Sequence, residues 1–423
     1  MLFTFLPLAA ALAEPPLTVP VDGEPFRAEL IGAKADWRFT FRTDGQRRTM
    51  PAADLVRWGS CPEQGRAGGL LLADGGWIAA HVATADQKKL TADSDLFGTF
   101  SLPLESLAGV VFHPSDSPLP LGDGADRKNS PLPLGEGQGV RALLENGDEL
   151  TGQLLGVADE VVKFQTDVGV VEIHTDRIVA LIFHPAIKPR PSVAPAGEKS
   201  EPLRAWVGLS DGSRLSAARL AIEDGSAAID AAGRTWKTSA ENIVFLQPLG
   251  GRATYLSDLK PVEYHQTPYL DLPWPWRADR NATGGRLRCR GQLYQKGIGV
   301  HSAARLIFSP LSPGEGPGVR AAKQSDSPLP LGEGPGVRAT GAPKRFQALV
   351  GIDDSTDGRG SVRFRVLVDG RERYVSPILC GGDPPVPVSV ELAGAKRLEL
   401  VVDYADRADV LDHADWLDAR LVK

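Results

Sequence analysis

Cysteine is scarce in this 423-residue chain: only Cys61, Cys289 and Cys380 occur. Three thiols cannot make a disulfide framework, and no C-x-x-C spacing supplies a zinc site. A basic excess is also missing. Lys and Arg number 47 against 53 Asp and Glu, for a net charge of −6 and a pI near 5.7. That leaves no electrostatic footprint for nucleic acid. No apolar run approaches the roughly 20 residues of a membrane helix. What is plentiful is backbone punctuation, with 46 Gly and 34 Pro. Together they make about a fifth of the chain, against a usual ~12%. This argues against a long-helix or coiled-coil protein. It leaves a turn-rich all-β protein, or a folded protein carrying low-complexity inserts. At 42% hydrophobic and 24% charged the chain can bury real cores. Its length predicts about two to four domains.

Residues 1–13 form an apolar stretch ending in Ala11-Leu12-Ala13. This resembles the apolar region and A-x-A cleavage site of a signal peptide, although no Lys or Arg precedes it. The expectation is a secreted, periplasmic or cell-surface protein with no membrane span. An oxidising compartment allows one disulfide, and Cys289 with Cys380 is the candidate pair.

One phrase recurs almost unchanged. Residues 325–339 read SDSPLPLGEGPGVRA, and close copies lie at 115–124, 129–142 and 311–321. The inserts at 115–140 and 309–340 lack apolar periodicity and cannot build a core. They read as duplicated sequence carried in surface loops, where extra length costs little closure entropy.

With the inserts set aside, residues 25–114 and 141–250 show four fainter repeats. Unit three, Val140 to Pro185, opens with an Asn146-Gly147 hairpin signal between apolar runs. It closes with Ile178-Val179-Ala180-Leu181-Ile182-Phe183-His184-Pro185. Unit two, 68–114, has Asp74-Gly75 and closes on Phe112-His113-Pro114; unit four, 204–248, has Asp211-Gly212. Unit one, 26–59, is shorter. Each predicts four or five short strands in a small bent barrel, loosely similar to Sm-like or SH3-like barrels. A single unit is too small to bury much surface, so neighbours should pack or share strands. Scaffolding or protein interaction, for example with envelope proteins, is the role these units suggest.

Residues 252–423 alternate apolar and polar again, as in Ser361–Val368 before an Asp369-Gly370 turn. The pattern predicts one β-sandwich interrupted by the insert at 309–340. Lys296-Gly297-Ile298-Gly299-Val300-His301, Gly351-Ile352-Asp353-Asp354 and Asp412-His413-Ala414-Asp415-Trp416 stand here in order. In this order and spacing the region resembles the NPCBM family of carbohydrate-binding modules. The resemblance implies a galactose-binding-like jelly roll, glycan recognition often of galactose-type sugars, and a structural calcium. Sugar sites combine an aromatic face with a few fixed polar groups. The candidate faces are Trp274, Trp276, Tyr294 and Trp416, and the polar candidates are Arg277, Asp279, His301, Asp354, Asp412 and His413. Trp276-Arg277, on a Pro-broken loop, is the favoured exposed pair. Trp416 also reads as core, and His301 as a buried hydrogen-bonding histidine. Asp353 and Asp354 read either as turn caps or as calcium ligands.

Three functions fit: a secreted non-catalytic glycan binder, an envelope or surface protein-interaction scaffold without sugar binding, and a glycoside hydrolase. The last needs two positioned carboxylates. Small β units leave little room for such a catalytic domain, so the chain is expected not to be an enzyme.

Overall fold

The glycine of an Asx-Gly pair sets the first turn of all four units. The computed structural model describes residues 14–63, 68–113, 139–183, 202–268, 273–309, 342–392 and 394–423. Gly75, Gly147 and Gly212 have φ of 86°, 87° and 89°, a conformation that a side chain disfavours. In each turn the preceding Asp or Asn accepts a bond from the amide two residues on, at 2.8–3.0 Å. Unit one shares the glycine but not that bond, since the Asp22 carboxylate pairs with Arg252 and Arg345. Asp22-Gly23, with φ 94° at the glycine, joins strand Leu17–Pro20 to Phe26–Arg27. Its first strand therefore begins before the residue 26 expected from sequence.

The units end alike as well. A three-residue 3₁₀ turn precedes each closing strand: Ala52–Asp54, Leu104–Ser106, Thr175–Arg177 and Ala240–Asn242. The closing strands then pair across units. Leu107–Val111 runs antiparallel to Ile178–Ile182, and Leu55–Gly59 to Ile243–Leu249. Units two and three are thus joined, and units one and four. One continuous apolar cluster, from Ala28 to Leu246, fills all four. This is how sub-domain-sized pieces obtain enough buried surface.

The C-terminal region is a sandwich of two antiparallel sheets. One holds Arg277–Ala278, Gly297–His301, His413–Val422, Arg345–Ile352 and Val386–Glu391 in that order, with Ala253–Tyr255 beside His413–Val422. The other holds Glu263–Gln266, Ala304–Phe308, Leu398–Tyr404, Ser361–Val368 and Arg371–Val375, with Leu379–Cys380 beside Ser361–Val368. Their inner faces enclose Ile298, Val300, Phe346, Phe364 and Trp416. The outer face of the first sheet is covered by the hairpin Leu287–Cys289/Gln292–Tyr294. The chain is all-β; among the described residues there is no α-helix, and none long and apolar enough to cross a membrane.

The sandwich is docked on units one and four. Arg57 of unit one forms a 3.0 Å ion pair with Asp418, both nearly fully buried. Gln247 of unit four donates to the same carboxylate at 2.9 Å, and Tyr255 Oη donates to the Val56 carbonyl. Cys61, Trp206, Phe245, Tyr255 and Leu293 pack around this polar centre.

The expected Cys289–Cys380 disulfide is corrected: both thiols are free, Cys289 buried and Cys380 exposed. Cys289 is enclosed under the covering hairpin, and burial pushes its thiol up to about 12. Residues 1–13 and nearly all of the copied phrases lie outside the described residues.

Candidate carbohydrate-binding site

Side chains alternate along the edge-ward strands of the first sheet. In Gly297–His301, Ile298 and Val300 enter the core, while Gly299 and His301 face outward. Gly299 carries no side chain because Arg280 and Asn281 lie on it; an added Cβ would stand 2.3 Å from the Arg280 carbonyl oxygen. In His413–Val422, Ala414 and Trp416 enter the core, while His413 and Asp415 face outward. His301 and His413 are cross-strand neighbours.

Trp274 closes over this pair. Its ring stacks on His301 with centroids 4.6 Å apart and planes at 16°, and it tilts against His413 at 5.6 Å. Its main chain is pinned on both sides. The amide donates to Gln266 Oε1 at 3.1 Å, and the carbonyl accepts from Tyr264 Oη at 2.5 Å. Pro273 and Pro275 bracket it, and the following Pro holds Trp274 extended. Of the eight tryptophans, only Trp274 and Trp276 are not buried.

His301 Nδ1, in the ring that the indole covers, has no hydrogen-bond partner, and neither has Nε2 of Gln266, whose Oε1 holds the Trp274 amide. In the residues that follow His301 and precede His413, the buried Ser302 hydroxyl lies against the Asp412 carboxyl and draws it down. Asp412 Oδ1 is spent on the Ser361 amide at 2.8 Å. His413 Nδ1 lies 3.0 Å from Ser355 Oγ. Buried polar atoms are nearly always paired, so the unpartnered His301 Nδ1 and Gln266 Nε2 beside Trp274 mark a place that can accept something. Burial pushes the Asp412 carboxyl up to about 6, and burial, then His413, pushes His301 down to about 4.

The other residues expected from sequence serve the framework. Trp416 is wholly buried between Phe346 and Phe364, and Tyr294 is buried beneath the hairpin, so neither offers a face. Both are corrected to core. Trp276 is half-buried against the inner core, and Arg277 Nε donates to the Ala282 carbonyl. Asp279 and Asp258 clamp the fully buried Lys296 ammonium at 2.5 and 2.6 Å. Asp354 accepts from the Arg290 and Gly291 amides at 2.7 and 2.6 Å. Asp353 accepts from the Arg288 and Ser355 amides and from Asn281. Both carboxylates cap turns, and their oxygens are spent on N–H donors, which does not fit calcium ligation by these two side chains. Among the described residues no group of three or more His, Cys, Asp or Glu is placed to hold a metal.

The structure thus brings together His301, Asp412 and His413 of the expected polar set with Trp274. It adds Gln266, Ser302 and Ser355, which no motif marks. The motif strings do match a known pattern: the profile of the NPCBM/NEW2 domain fits residues 252–310 and 337–422. The sandwich is an NPCBM domain. The break in the match falls within the insert at 309–340. Alpha-1,3-galactosidase B of Akkermansia muciniphila is 31% identical over 144 residues, which are 34% of this chain and 15% of that protein. The chain therefore spans only a small part of that relative. Among solved structures, CBM51 of a Clostridium perfringens GH95 protein in complex with methyl-galactose is 21% identical, with TM-score 0.30. That likeness covers 40% of this chain and 99% of that one. The CBM51-2 and INT domains of Clostridium perfringens ZmpB in complex with GlcNAc are 22% identical, with TM-score 0.31, covering 47% and 36%.

Proposed function

We propose that this is a secreted, non-catalytic glycan-binding protein whose NPCBM domain takes a galactose-type sugar at the Trp274 end of the sandwich. The observation that carries the reading is the meeting of one accessible indole with buried, unpartnered polar atoms. An aromatic face suits the C–H surface of a sugar, and fixed polar atoms suit its hydroxyls. The galactosidase relative and the methyl-galactose complex support a galactoside as the first ligand to try. The non-catalytic reading is supported by how the sandwich spends four of its carboxylates, while Asp412 and the wholly buried Asp415 keep unpartnered oxygens. Asp279 is held by Lys296, Asp353 and Asp354 by amides, and Asp418 by Arg57. Export rests on the apolar leader, and the β units act as the scaffold that holds the sandwich.

The test is a glycan array followed by calorimetry on the full chain. Trp274→Ala should weaken galactoside binding roughly tenfold, the loss of about 1.4 kcal/mol of ring contact. The fold should survive, because the ring is not in the core. Silence across the array would remove the glycan reading. Release of reducing sugar would favour a hydrolase instead.

A further inference from the structure

The polar atoms that make the site attractive are not reachable as it stands. His301 is 3% exposed, with its unpartnered Nδ1 in the ring that Trp274 covers, and the neighbouring Ser302 and Asp412 are wholly buried. A ligand resting on the outer face of the indole would meet none of them. The main chain at Trp274 cannot easily retreat, because Gln266 and Tyr264 hold it from both sides. Its side chain is different. Trp276 packs on the apolar cluster of the sandwich, and Trp274 is not among the residues of that cluster. Its neighbours are two imidazole rings.

We infer that Trp274 is a swinging cover: its indole turns off His301 to expose the polar layer, and the ligand binds the opened form. The inference rests on the glycan reading for the identity of the ligand but not for the existence of the cover. Three features make such a cover workable. The main chain is a fixed hinge. The ring stack is a modest contact, worth about as much as other aromatic pairs, so opening is cheap. The uncovered atoms gain partners only when something polar enters, so a ligand can favour the open state by its differential contacts. Gln266 couples the two halves, since its Oε1 fixes the hinge while its Nε2 is one of the atoms awaiting a partner.

Two measurements on the full chain test this. The first needs no ligand: modification of His301 by diethyl pyrocarbonate, followed by mass spectrometry. A cover open a tenth of the time or less slows the reaction at least about tenfold. His301 should therefore react at least that much faster in Trp274→Ala than in the wild type. Equal rates would overturn the cover. The second uses 5-fluorotryptophan-labelled protein titrated with a methyl galactoside. The Trp274 resonance should shift as the ring leaves the imidazole, while the core resonance of Trp416 stays. Galactoside binding with an unmoved Trp274 resonance would overturn the swing. If calorimetry finds no galactoside binding at all, the glycan reading falls, and the His301 comparison still decides the cover.

Discussion

At the residue scale, Asp412 and His301 are displaced in opposite directions by the same burial. The Asp412 carboxyl, raised to about 6, is ionised at neutral pH and can accept a sugar hydroxyl. His301, lowered to about 4, stays neutral throughout that range. As pH falls through about 6, Asp412 gains a proton and Oδ2 ceases to be a pure acceptor. Galactoside affinity should therefore weaken between about pH 7 and about pH 5, before the imidazole charges. Asp412→Asn should flatten that profile while its amide oxygen keeps the bond to Ser361. A midpoint near 4 would assign the change to His301 instead. The residue scale is also where the sequence is least legible. Lys296, Asp354 and Trp416 stand out in motifs because the framework needs them: a buried ammonium between two carboxylates, a turn cap, a core ring. Gln266, Ser302 and Ser355 stand out nowhere, since their place in the site depends on strands far apart in sequence. Trp274 had a local signal, a ring locked between Pro273 and Pro275.

At the element scale, strand His413–Val422 carries three tasks along ten residues. Its start supplies the site through His413, its middle fills the core through Trp416, and Asp418 docks the sandwich on Arg57. Removing one partner of a buried ion pair strands the other charge away from water, at about 3–5 kcal/mol. Arg57→Ala should cost stability at the lower end of that range, because Gln247 still donates to Asp418. Chemical denaturation of the full chain measures it, and a loss below about 1 kcal/mol would show the pair to be no better than an exposed one. The elements themselves were legible in sequence where hairpin chemistry is local. Asx-Gly pairs and alternating runs mark the strands of units two to four. Strand Leu17–Pro20 pairs with Phe26–Arg27 across the Asp22-Gly23 turn and with the closing strand Leu55–Gly59, and only the first of these pairings is local in sequence.

At the scale of the whole molecule, the sandwich and the scaffold share a buried seam. Besides Arg57–Asp418, Arg252 of the sandwich pairs with Asp22 and Asp54 of unit one, and Arg286 donates to the Pro62 carbonyl. Val21 and Val56 pack on Val422 at the end of the chain. An excised fragment of 252–423 would expose these groups to water, so it should melt below the transition of the same domain in the full protein. Calorimetry of both would show it, and identical midpoints would mean that the seam adds nothing. No pattern in the sequence encodes that unit one pairs with unit four rather than with unit two.

That pairing bears on how the protein is made. Leu55–Gly59 leaves the ribosome early, yet its partner Ile243–Leu249 comes only after units two and three have been synthesised. Contacts of such high sequence separation form slowly and leave strand edges open meanwhile. Units two and three, consecutive in the chain, can close on each other first and offer a finished half while unit one waits. The sandwich, translated after the scaffold, seats on a junction that exists only once the scaffold's two ends have met. An order of assembly is therefore built into the topology: the edge of unit one stays open until unit four has been made.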